Sequence, residues 1–113
     1  MDFSNDQIKE FKVEVFLPVS ARDSVISAIK NMKMARIGKY YNCISECRVY
    51  SSWDADEGAS PFLGVAGKSY ETEEIKVETR CKKENIEEMI SVIKSAHPYE
   101  NVCINVIPII SFD

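Results

Sequence analysis

The chain repeats itself, and this constrains its fold more than any other feature. FKVEVFLPVSARDSVISAIKNM (11–32) aligns without a gap on IKVETRCKKENIEEMISVIKSA (75–96). Lys12/Lys76, Val13/Val77, Glu14/Glu78, Ile26/Ile90, Ser27/Ser91, Ile29/Ile93 and Lys30/Lys94 are identical pairs. Both copies also change hydrophobic period at the same place. Phe11, Val13, Val15 and Leu17 alternate with Lys12, Glu14 and Phe16, which is the period of a strand with one apolar face. Ile75, Val77, Thr79 and Cys81 do the same in the second copy. Pro18 has no N–H to donate and ends the first ladder. Ser20 and Asp23 then have the spacing of a capping box, and Asn85 with Glu88 offers a similar cap. Helical spacing follows: Ile26, Ile29 and Met32 or Lys33 in one copy, and Ile86, Met89, Ile90, Ile93 and His97 on one stripe in the other.

A strand-like run follows each helix, YNCISECRVYSS (41–52) and NVCINVIPII (101–110). The order β-α-β, excursion, β-α-β predicts a single α+β domain over 1–113, with a core of about 11–110 and a ferredoxin-like (βαββαβ) fold. Four antiparallel strands in the order 4-1-3-2 would carry both helices on one face. That face should hold Val13, Val15, Val77, Ile104 and Val106. The β2–β3 excursion, about 51–69, is long for a hairpin connection, which usually takes about 2–5 residues. Its Trp53, Phe62 and Leu63 are expected to pack on their own sheet or on another subunit.

Composition narrows the class. At 113 residues, with 45% apolar and 28% charged, the chain suits one soluble globular core. No apolar stretch reaches the ~20 residues of a membrane span. MDFSNDQIKE lacks the basic and apolar regions of a signal peptide, so a cytoplasmic location is expected, with Cys43, Cys47, Cys81 and Cys103 as reduced thiols. Net charge is −4 without a basic cluster, which argues against nucleic acid as a partner.

His97 is the only histidine, and Tyr99 and Glu100 follow it closely. It has two readings. It binds a metal or shuttles a proton, or it closes a helix whose macrodipole favours a cation, as its repeat partner Lys33 would. Pro98 stops the helix in either case. CISEC (43–47) reads as strand thiols: residues four apart on a strand share a face but sit about 13 Å apart, too far to chelate one ion. DADE (54–57) lacks the spacing of a calcium loop, since its twelfth position is Val65, and reads as a solvated acidic turn. No phosphate-binding, nucleophile-elbow or zinc-protease pattern occurs.

Four motifs, ARIGKYYNC (35–43), GASPFLG (58–64), EEIKVETR (73–80) and AHPYEN (96–101), occur in the order seen in one family. From about Phe11 to Ile109 the chain resembles the insert domain of the NIF-three-like, or YqfO-type, proteins. Its HPYE element and its layout also resemble the CutA divalent-ion-tolerance family. Both families are similar in fold to PII signal proteins and tend to form trimers. Asn101-Val102 stand where the first family has Glu-Pro, and Lys39 and Tyr41 replace its Asn and Ser. The dinuclear-metal ligands of that family are carried over to no residue here.

The resemblance implies a non-enzymatic, homotrimeric, PII/CutA-like binding or regulatory protein for a small ligand or protein partner. One alternative is a CutA-like binder of a divalent metal ion, with His97 and Glu100 as ligands and Tyr40, Cys43 and Tyr99 around a pocket. Another is an accessory or assembly module of a dinuclear-metal protein. A third is an enzyme at a subunit interface, for which no nucleophile–base pair stands out. The uncharged last strand, VCINVIPII, leaves an edge that Pro108 only blunts, and trimerisation would cover it.

Overall fold

The computed structural model describes residues 7–112. In chain order the elements are β1 (Glu10–Pro18), α1 (Arg22–Met32), β2 (Ser45–Asp54), β3 (Ser69–Lys82), α2 (Ile86–Ala96) and β4 (Ile104–Ile109). The strands form one antiparallel sheet in the order β2-β3-β1-β4, the expected ferredoxin-like arrangement.

The repeat sets the register at the sheet centre. Glu14 of β1 pairs directly with Glu78 of β3, its own repeat equivalent, so a local pseudo-dyad passes through that pair. Like charges placed opposite each other destabilise a sheet. Here the repeated lysines correct this. Lys12 reaches Glu14 at 3.3 Å and Glu78 at 3.2 Å, and Lys76 reaches the same two carboxylates at 3.4 and 3.0 Å. The hydrogen bonds from Lys76 and Lys12 hold Glu78 below the ordinary carboxylate range.

On the opposite face the alternating residues become the core. Phe11, Val13, Val15, Leu17, Ile75, Val77 and Cys81 are buried against Val25, Ile26 and Ile29 of α1 and Ile86, Met89 and Ile93 of α2. Ile104 and Val106 are half-buried beside them. Burial raises the Cys81 thiol to about 11, with Glu84, Glu10 and Glu88 adding to the effect. Cys43 is half-buried, whereas Cys47 and Cys103 are exposed; all four are free thiols.

Three local expectations need correction. No side-chain cap forms at either helix. The N-cap of α1 is Ala21 rather than Ser20, and Asn85 caps α2 without a side-chain hydrogen bond. Each helix instead starts from a three-residue 3-10 turn, Val19–Ala21 or Lys83–Asn85, in which the Arg22 and Ile86 amides already find carbonyls. Second, β2 begins at Ser45, so Cys43 precedes the strand; its amide bonds to Ala35 O and its carbonyl accepts from Thr79 Oγ1. Third, the β2–β3 ladder continues to Asp54↔Ser69, which leaves only 55–68 irregular. The Trp53–Tyr70 pair, with ring centroids 5.4 Å apart, extends it.

Candidate functional site

The site grows from three strands. Strand alternation places Phe16, Glu74, Trp53 and Tyr70 on the sheet face away from the helices. The 55–68 loop folds back over that face, with Gly64 against Tyr70. A Cβ at Gly64 would lie 3.0 Å from the ring, and its φ of +86° is one that suits glycine. The joint after α2 closes the third side. Together they bound a half-open pocket of about 430 Å³, lined by Phe16, Trp53, Pro61, Phe62, Leu63 and Tyr99 with the acids Asp54, Asp56, Glu74 and Glu100. That volume is in the usual range for a small-molecule site, roughly 300–1,000 Å³.

Tyr99 is its centre. The hydroxyl donates to Glu74 Oε2 at 2.6 Å, and the ring meets Trp53 edge-on at 5.8 Å and Phe62 at 6.2 Å. Burial and the Glu74 carboxylate raise the phenol far above its ordinary value, so Tyr99 stays a hydrogen-bond donor. Glu74 itself is only 3% exposed. Glu100 holds the loop: its Oε2 accepts the Ser60 amide at 2.9 Å.

His97 stands behind this wall. Its ring packs on Tyr99 at 4.6 Å. Nδ1 accepts the Tyr99 amide at 3.1 Å, so the proton sits on Nε2, which donates to Phe16 O at 2.7 Å. Burial lowers its pKa, opposed by the Phe16 carbonyl and Glu74. The imidazole is therefore neutral, and does not act as the cation that a helix C-terminus would favour. It ties α2 to β1 and aims Tyr99 into the pocket.

Of the residues singled out in the sequence, Tyr99 and Glu100 share the pocket and His97 supports it. Tyr40 is exposed on a turn at Ile37–Tyr40, and Cys43 borders a separate groove near Ser45 and Ile109. Glu74, Phe16 and Asp54 were not anticipated as site residues. Glu74 sits in a run of alternating charges, where nothing in sequence marks one glutamate as buried. Among the described residues no three His, Cys, Asp or Glu side chains converge to hold a metal ion. No helix among them is long and apolar enough to cross a membrane.

Four antiparallel strands in this order beneath two helices define the class, an α+β domain of ferredoxin-like architecture. Residues 25–113 match the family described as CutA1 divalent ion tolerance protein, and the chain belongs to that family. A curated relative from Bacillus subtilis, "GTP cyclohydrolase 1 type 2 homolog", is 29% identical over 98 residues, covering 87% of this chain and 26% of its own length. This chain thus spans about a quarter of the curated relatives it matches. The Bacillus cereus protein related to NIF3 superposes with a TM-score of 0.77 at 27% identity, over 90% of this chain and 26% of that one. CutA from Archaeoglobus fulgidus superposes at 0.64 with 18% identity, covering 88% and 83%, and shows the shared fold. The likeness to both NIF-three-like and CutA proteins is thereby established.

Proposed function

We propose that this chain is a non-enzymatic binding module that assembles as a homotrimer and takes a small ligand in the pocket around Tyr99. One observation carries the reading: a cavity of about 430 Å³ walled by aromatic rings and carboxylates. The groups around it suit binding better than catalysis. Both nitrogens of His97 are spent on backbone partners, and the Tyr99 phenol is held protonated on Glu74. The Cys103 thiol borders the pocket, but the imidazole that would have to activate it is committed to Phe16 O. Trimerisation is supported by the two open sheet edges, β2 and β4, and by Ile107, Ile110 and Phe112, which are exposed near the β4 edge.

A divalent metal ion is the second reading. The family's name favours it, and Asp54, Asp56 and Glu100 line one pocket. In this reading Glu100 is a ligand, and His97 must give up one backbone bond to join it. A role as an accessory module is supported by the NIF3-related relative, in which the matching fold forms 26% of a longer chain. Native mass spectrometry of protein purified without chelator tests the trimer and the two ligand readings. The expected result is a trimer with a small-molecule mass that is lost in Tyr99→Ala. Bound metal lost in His97→Ala would establish the second reading, and a bare monomer would sink the first.

A further inference from the structure

The acids of the outer sheet face are not treated alike. Glu14 and Glu78 are each contacted by two lysines and Glu10 by Arg80. Glu74 is the most buried acid on the sheet, at 3% exposed, yet among the described residues no cation pairs with it. Among the described residues its one side-chain hydrogen bond is from the neutral Tyr99 hydroxyl. An acid taken out of water normally acquires a partner of opposite charge. Glu74 lines the pocket, and no lysine, arginine or histidine lines it with Glu74, whereas Asp54, Asp56 and Glu100 do. The charged side chains lining it are therefore all acidic, and the cation beside its wall, Lys76 at 6.0 Å from the Phe16 ring, is paired with Glu14 and Glu78. The remaining wall is mostly apolar, with the rings of Trp53 and Phe62 set at 60° and 44° to the Tyr99 ring. Ring faces attract cations, most strongly in a dry site.

We infer that the pocket binds a small organic ammonium ion, with Glu74 as its counter-charge and the Trp53, Phe62 and Tyr99 rings around its alkyl groups. This rests on the reading of the pocket as the ligand site and names the ligand's class. A hydrated divalent ion suits the wall less well, because such ions take six or more oxygens and among the described residues no three donor side chains converge. An alkylated ammonium carries its charge inside an apolar shell, which matches a wall of rings with one buried carboxylate.

Trp53 is the only tryptophan in the chain, so its fluorescence reports the pocket directly. Choline and its neutral isostere 3,3-dimethyl-1-butanol would be titrated against the full chain, with manganese chloride as a third probe. Saturable choline binding should be tighter than the alcohol by about tenfold or more. Glu74→Gln should remove most of that preference, with circular dichroism checking the fold. If that variant does not fold, the choline-to-alcohol ratio of the unaltered protein decides. Equal affinities would overturn the cation inference while leaving the pocket as a ligand site. Saturation by manganese but not by choline would overturn it in favour of a metal. No saturable response to any probe would overturn both the inference and the pocket reading beneath it.

Discussion

At the end of α2, a buried imidazole serves as a fixed donor and acceptor. His97 holds Phe16 O with one nitrogen and the Tyr99 amide with the other, an arrangement only the neutral ring can make. Its folded-state pKa lies below the ordinary 6.5 because burial disfavours the charged form. The unfolded chain therefore binds the proton more readily. The His97 contribution to stability is complete above about pH 6.5 and falls as pH drops from there toward the folded value. Urea denaturation between about pH 7.5 and pH 5 should show this slope, and His97→Gln should flatten it. The lowered carboxylates Glu14, Glu46 and Glu78 contribute in a separate window: their stabilisation is present above the ordinary 4.5 and is lost on further acidification. The HPYEN joint marked Tyr99 and Glu100 in sequence because a lone histidine beside a helix-stopping proline draws attention. Glu74 gave no such signal, since its hydroxyl partner Tyr99 lies 25 positions away in the chain.

At the scale of elements, the repeat's two periods made strands and helices readable, but the helix starts were not. Ser20 and Asp23 have capping-box spacing, yet the chain turns through a 3-10 segment and Ser20 remains exposed. Ser20→Ala should therefore change stability by less than about 0.5 kcal/mol, where loss of a working N-cap typically costs ~1 kcal/mol. The stripe on α2 behaves differently. Ile93 is fully buried between the helices and the sheet. Ile93→Ala should cost about 2–5 kcal/mol, read as a lower denaturation midpoint at unchanged slope. The exposed neighbour Ser91 should tolerate alanine within about 0.5 kcal/mol. A large loss at Ser20 or a small one at Ile93 would contradict this account of the helices.

At the scale of the whole molecule, the four-stranded sheet leaves β2 and β4 unpaired on their outer sides. Ile107 is 40% exposed on β4, on the face that carries the lysine–glutamate quartet. If that edge is buried in a trimer, Ile107→Lys will place charges in the interface. Sedimentation velocity at micromolar concentration should show the trimer for the unaltered chain and a smaller species for Ile107→Lys, with circular dichroism unchanged. A monomer in both cases would leave the edges open and remove the assembly from the proposed function.

The architecture was legible in the order of residues alone. A repeated strand-helix pattern can bury its apolar stripes only by bringing the two copies together, and their repeat-equivalent strands then pair at Glu14 and Glu78. That information is local and periodic, so it survives in one dimension. The site exists only once the chain has folded. Phe16, Trp53, Glu74 and Tyr99 come from three strands and a helix exit, and each looks ordinary among its neighbours in the chain. They become a cavity because the loop between Ala55 and Lys68 folds over the sheet and excludes water from one carboxylate. Burial depends on what the rest of the chain covers, and periodicity carries no record of that.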